Sequence, residues 1–287
     1  MVEPPELNRP SREQIYRRRV IALVLLTVAV AAAICAGWAA LKDRSSAAPP
    51  PTTTVEPPKQ LRVTLPEGLT VNQMAAAADT ASLRITAAGY LRQARLQKRP
   101  AGFGNPRSPE GFMFPDTYFV FETDPAAALV EKQLENFRAK WAKVDMTYAR
   151  SKNLTNYDVL TIASMIEKEV VVPRERRLVA AVIYNRLHQR MPLGIDATLR
   201  YGLDIPPTQA ITKIQLASDT PYNTRKFRGL PPTPIANPGL ASMQAAAHPA
   251  KVDYLYFVRK PDCRSHFFTA SAAAFLAYSR QGLQCGS

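Results

Sequence analysis

Histidine, cysteine and glycine are scarce in this chain of 287 residues, with three, three and twelve of each. The histidines, His188, His248 and His266, stand far apart and lack the short spacing of a ligand set, which argues against a metal centre. No glycine-rich phosphate cradle occurs, and no Gly-x-Ser-x-Gly elbow that would hold a serine nucleophile. No cofactor is implied. No internal repeat is visible. Acidic residues are also in deficit, 23 against 37 lysines and arginines, for a formal net charge of +14. Such a balance suits nucleic acid, an anionic membrane surface or an anionic wall polymer, and topology has to decide among them. What is present is apolar: 46% of the residues, enough for one membrane span and one sizeable soluble region.

Residues 1–19 are polar and carry Arg9, Arg12, Arg17, Arg18 and Arg19; residues 20–41, Val20 to Leu41, carry no charge. An uncharged run of that length spans a bilayer as a helix. It is longer than the apolar core of a cleaved signal peptide, and ICAGWAALK is a poor cleavage site. A lipid attachment at Cys35 would need a small-residue motif before it, and the run continues apolar beyond Cys35. Five arginines precede the run, whereas Lys42 and Arg44 after it are offset by Asp43. Positive charge stays inside. The expectation is therefore a cytoplasmic tail over 1–19, a single-pass helix over 20–41, and everything after it outside the cytoplasm. That placement removes nucleic acid as a partner. Residues 42–60 are rich in proline and threonine and read as an extended tether. At the polyproline rise, sixteen such residues reach about 50 Å.

The remainder reads as an α+β domain. A strand is predicted over Leu61–Leu65, followed by a Pro-Glu-Gly turn, and helices over Val71–Ala78 and Ala87–Leu96. Phe112–Phe121 reads as an aromatic strand interrupted at Pro115–Asp116. Asp124–Pro125 is expected to cap a helix whose buried stripe is Val130, Leu134, Phe137, Trp141 and Val144. Near the end, a short helix over Leu240–Ala247, a hairpin of Tyr254–Val258 with Ser265–Phe268, and a helix capped by Ser271 complete the domain.

Residues 155–190 predict two helices joined at Val171–Pro173. Thr155 and Asp158 have the spacing of a capping box. Ile162, Met165, Ile166 and Glu169 fall on one helical stripe, so a carboxylate ends an apolar row. Glu167 lies about 200° away around the same helix. Apolar neighbours and the negative end of the helix dipole both raise a carboxyl pKa, which is what a general acid requires. The same glutamates could instead pair with Lys168, Arg174, Arg176 or Arg177, and the pattern alone leaves both readings open. On the second helix, Asn185 is a lone amide within an apolar stretch; it could hold a loop or reach a ligand. Arg186 could orient a carboxylate or face solvent. Asp196 follows in a turn-like setting, GIDATLRY.

The segments EGFMFPDTY, SMIEKE, ERRLVAAVIYNRL, MPLGIDATLRYGL and YNTRKFRGLPPTPIANPGLASMQAAAHPAKVDYLYFV occur in this order. Over about residues 61–270 the chain resembles the YceG-like family of endolytic murein transglycosylases. The resemblance implies a domain with an N-terminal part at 61–122 and a catalytic part at 123–287. It also implies Glu169 as the single catalytic acid/base, cleaving between N-acetylmuramic acid and N-acetylglucosamine to leave 1,6-anhydro ends. It makes Asp196 an organiser of the site, Tyr222 a stacking ring and Asn223 an amide for the N-acetyl group; Asn185, from its own setting, is a further candidate for a substrate contact or for holding a loop. It suggests peptidoglycan strands as substrate and a place beside peptidoglycan synthases of the elongation or division machinery. Two departures stand out. The LysM-like subdomain common in the family is largely missing between the anchor and the strand at Leu61, and Gly194 and Ile195 replace a glutamine and a polar residue. A muramidase-type hydrolase using Asp196, or a non-catalytic wall-binding scaffold, are the alternatives.

Two expectations can be checked directly. A reporter fused after Ser287 should be active outside the cytoplasm and silent within it; the opposite result refutes the orientation. Cys263 and Cys285, both in the exported region and separated by 21 residues, are expected to form a disulfide. Closing that loop is worth about 3 kcal/mol in the chain-entropy picture. Thiol labelling of the native, unreduced protein should then count one cysteine, Cys35, rather than three.

Overall fold

The computed structural model describes residues 12–45, 58–79 and 84–281. The chain divides into two units, Met1–Pro57 and Pro58–Ser287. The first contains helix α1, Arg12–Ser45. Its stretch Arg12–Lys42 is long and apolar enough to cross a membrane, with a mean hydropathy of 2.7 over its most apolar 18 residues. Leu23, Leu25, Val28, Ile34 and Trp38 are all exposed, on a helix that is apolar all round. Helix α1 includes residues 42–45 of the tether expected over 42–60. Residues 46–57 of that tether and 1–11 of the expected tail lie outside the described residues.

The second unit is α+β. Strand β1 (Gln60–Leu65) pairs antiparallel with β2 (Asp116–Phe121), with Leu61 opposite Val120 and Val63 opposite Tyr118. Alternation sends Val63, Leu65, Tyr118 and Val120 inward. Between these strands lie α2 (Val71–Asp79) and α3 (Ala87–Leu96). The aromatic strand expected from Phe112 begins only at Asp116. Phe112, Met113 and Phe114 are buried one after another rather than alternately, and Pro115 has no N–H for a ladder. Helix α4 spans Ala126–Trp141 with its expected stripe buried, Trp141 partly so. Asp124 does not cap it; its carboxylate accepts the Phe121 N–H at 2.9 Å and closes the turn. Phe103, Phe112, Phe137 and Trp141 stack or meet edge-on, with ring centroids 4.7–5.9 Å apart.

After the one-turn helix α5 (Thr147–Ser151) comes α6, Asn156–Glu169, with the Thr155–Asp158 capping box in place. The apolar stripe understates its burial: every residue from Val159 to Ile166 is buried. α6 packs against α7 (Arg176–His188) and α10 (Leu240–Ala247). The alanines and Ser242 of α10 allow close approach. The two polar side chains of buried α6 are satisfied: Thr161 donates to the Tyr157 carbonyl, and Ser164 donates to the Thr161 carbonyl and accepts the Ile235 N–H at 3.0 Å. A single 3-10 turn, Pro173–Glu175, leads into α7. Helix α8 (Asp196–Gly202) replaces the turn expected around Asp196. Helix α9 (Lys213–Leu216) is a short element between α8 and α10. Strands β3 (Tyr256–Arg259) and β4 (His266–Thr269) form the expected hairpin, and Ser271 caps α11 (Ala272–Arg280).

Distant segments meet at Glu110, which is 4% exposed. Its carboxyl accepts the Val71 N–H at the start of α2 at 3.0 Å, the Asn237 side-chain amide at 3.0 Å and the Tyr201 hydroxyl at 3.2 Å. Asn237 in turn accepts the Met113 N–H and donates to the Leu69 carbonyl. Desolvation outweighs these donors and pushes the Glu110 carboxyl up from its ordinary value of 4.5 to about 8. A folded-state pKa above the unfolded one means that stability is fully present below about 4.5 and is lost as pH rises through about 8. Glu110→Gln keeps the shape and cannot ionise. Its melting temperature relative to the wild type should rise from about pH 5 to about pH 8.5, by an amount worth on the order of a few kcal/mol. Parallel melting curves across that range would show that Glu110 is not the titrating group.

Candidate active site

Helix α6 ends in Glu167, Lys168 and Glu169, and successive residues turn by about 100°. The three side chains therefore leave a buried helix in three directions. Glu167 accepts the Gly239 N–H at 3.0 Å, at the start of α10, and lies 4.0 Å from Arg176. Lys168 donates to the Gly68 carbonyl at 3.1 Å. Glu169 turns toward the start of α8. The ion-pair reading of the triplet thus holds for Glu167, while Glu169 has no ion-pair partner among the described residues. A Cβ at Gly239 would come within 1.8 Å of the Glu67 carboxylate, so that exposed side chain would have to swing aside.

Part of Glu169 reaches solvent, yet the carboxyl lies among enough protein that desolvation is the leading influence and raises its pKa. The charge of Arg259 opposes that rise; the charge of Asp196 adds to it; the Ala197 backbone N–H and Arg225 oppose it. Glu169 is the last residue of α6, where the dipole disfavours an anion, but the first turn of α8 supplies an N–H that favours one. Desolvation wins, so the carboxylic acid form is stabilised next to a charged pair. That pair is Asp196 and Arg225, 2.5 Å apart with each side chain nearly half exposed. Thr224 sets the turn that carries Asp196: its hydroxyl accepts the Ile195 N–H at 3.1 Å and its carbonyl accepts the Gly194 N–H. The arrangement can deliver a proton to an incoming group and take one back, with the adjacent Asp196 held in place by Arg225.

The structure brings Glu169 and Asp196 together and puts the other expected contacts elsewhere. Asn185 donates both amide hydrogens to the Val252 and Tyr254 carbonyls at 2.9 Å; it holds the loop before β3, the first of the two readings its sequence setting left open, and not a sugar. Asn223 is fully buried and donates to the Leu216 and Ser218 carbonyls. Its amide is unavailable to an N-acetyl group, and the expected contact is corrected. Tyr222 meets Tyr201 edge-on at 5.2 Å, and its hydroxyl pairs with Thr233 at 2.9 Å. Gly202 makes room for it, since a Cβ there would sit 2.5 Å from the Tyr222 Cβ. Arg186 neither orients a carboxylate nor faces solvent; it donates to the carbonyls of Leu255, Pro192 and Leu193. The bridge expected from Cys263 runs to Cys285, which lies outside the described residues.

Four participants went unread in the sequence. Arg225 and Arg259 surround Glu169 electrostatically, and nothing in their spacing marks them. Glu175 and His266, both buried, pair at 2.7 Å while the His266 N–H is accepted by the other Glu175 oxygen. Both residues sit at element ends, which is the signal that was available. Clefts of about 650 and 570 Å³ lie elsewhere: one along Tyr148, Tyr184, Asn185 and residues 249–254, the other along Lys143, Asp145, Arg177 and His248. Glu169 lines neither.

Fold and site define an α+β domain that presents one desolvated glutamic acid from the end of its central helix. The YceG-like family profile matches residues 10–281, and the chain belongs to the YceG-like family. It is 37% identical over 151 residues to an endolytic murein transglycosylase of Bacillus subtilis, covering 53% of this chain and 42% of that protein. It is 36% identical over 154 residues to one of Streptococcus pneumoniae, covering 52% and 28%. The matches therefore span less than half the length of these relatives. A yceG-like protein from Listeria monocytogenes has the same fold, with a TM-score of 0.66 at 28% identity and 76% of each chain covered.

Proposed function

We propose that this chain is a membrane-anchored lytic transglycosylase that cleaves peptidoglycan glycan strands outside the cytoplasm. The observation that carries the reading is the partly exposed, desolvated Glu169 beside the Asp196–Arg225 pair. The two relatives called endolytic murein transglycosylases support the substrate, and α1 suits a single-pass anchor with the N-terminus inside. A tether between anchor and domain keeps the enzyme near the membrane, where it would work beside peptidoglycan synthases and end nascent strands.

In this reading Glu169 starts protonated. It gives its proton to the oxygen linking N-acetylmuramic acid to N-acetylglucosamine, and the C1–O bond breaks. The charge developing at C1 is supported by the sugar's own acetamido oxygen. The Glu169 carboxylate then takes the proton of the C6 hydroxyl, and O6 bonds to C1. The acid is regenerated, no water is consumed, and the product carries a 1,6-anhydro ring. Asp196, tied to Arg225, organises the site and raises the Glu169 pKa. The hydrolase alternative uses Asp196 to activate water. Its ion pair with Arg225 counts against that, because a paired carboxylate is a weaker base.

Glu169→Gln keeps size and removes the transferable proton, so turnover should fall about 10³–10⁴-fold with the fold intact by circular dichroism. Glu167→Gln should lose stability, through the Gly239 and Arg176 contacts, and keep most of its turnover per folded molecule. Mass spectrometry of digested strands reads the chemistry: anhydro ends support transglycosylation, while reducing ends one water heavier support the hydrolase. Strand binding without cleavage, indifferent to Glu169→Gln, would leave the scaffold.

A further inference from the structure

Strand β3 ends on Arg259, which lies opposite His266 in the hairpin register. His266 is held by Glu175 at the head of α7, through both its ring and its backbone N–H. A buried, doubly bonded contact of this kind fixes the hairpin end to the helix pair that carries Glu169. Arg259 itself is exposed, and among the described residues no carboxylate lies within ion-pair distance of it. Its charge is nevertheless the strongest charge felt by Glu169. Arg225, the other guanidinium there, is already tied to Asp196. With Glu169 protonated, Asp196 and Arg225 cancel, and Arg259 leaves the site with one uncompensated positive charge.

A free cation beside a general acid works against catalysis, because it favours the carboxylate over the acid. The placement is chemically consistent when an anion arrives with the substrate. We propose that Arg259 binds a carboxylate of the glycan substrate, carried on the muramic acid arm next to the bond that Glu169 protonates. This inference rests on the transglycosylase reading. Seating the carboxylate neutralises Arg259 and removes its pull on Glu169, so the acid is fully poised only when a correctly charged strand is bound. The carboxylate has two sources: the lactyl arm of peptide-free strands, or the stem peptide of substituted ones.

The test compares the purified full-length protein with Arg259→Ala and Arg259→Lys on three substrates. These are peptide-free strands, the same strands with carboxylates converted to neutral methylamides, and peptide-bearing strands. On charged strands, Arg259→Ala should raise KM about ten-fold, a larger change than in kcat, and Arg259→Lys should recover most of it. On neutralised strands the wild type should fall to the level of Arg259→Ala. An effect confined to peptide-free strands assigns the lactyl carboxylate; one confined to peptide-bearing strands assigns the stem. Equal losses on charged and neutral strands, or no loss on either, overturn the inference and leave the transglycosylase reading standing. A wild type that cleaves none of the three overturns both.

Discussion

Helix α6 is buried on every face from Val159 to Ile166, and, apart from Asp158 of the capping box, its charged residues are confined to its last turn. A helix enclosed in this way cannot rotate or slide without exposing apolar surface or stranding Thr161 and Ser164 from their partners. The direction in which each residue of the final turn points is therefore set by packing far from the charges. Glu167 and Lys168 complete the restraint through Gly239 and the Gly68 carbonyl. Glu169, the third member, turns instead toward the start of α8 and its Ala197 N–H.

Around that anchor the domain is tied by polar contacts between segments distant in sequence. Asn237 bridges residues 69, 110 and 113, and the carboxyl it meets, Glu110, also holds α2 and Tyr201. Asn185 and Arg186 hold the loops before β3 and α8. Glu175 holds β4. Each of these donors or acceptors is buried or half-buried, where leaving one unpaired costs about 1–3 kcal/mol. They keep Asp196, Arg225 and Arg259 around Glu169 without touching the reaction, and the electrostatic balance of the site follows from them. Desolvation raises the acid's pKa and Asp196 reinforces it, while two guanidiniums and one N–H restrain it.

Periodicity and end signals in the sequence determined most of the elements. The Thr155–Asp158 box, the stripe ending in Glu169, the helices at 87–96 and 240–247, and the hairpin before the Ser271 cap are local events, governed by side-chain spacing and hydrogen bonds a few residues apart. That Glu167 and Glu169 would point to different surroundings was legible for the same reason, because they lie about 200° apart on one helix. What only the tertiary structure decided was pairing across long sequence separations. Whether Asn185 and Asn223 would meet a ligand or a carbonyl depended on loops 5 to 69 residues away. That Arg225 would meet Asp196, and that the charge of Arg259 would reach Glu169, depended on how α8 and the β3–β4 hairpin pack around α6 and α7. Amides and guanidiniums reach several ångströms and accept many partners, so their residue type is compatible with either role. Only packing removes one of the two.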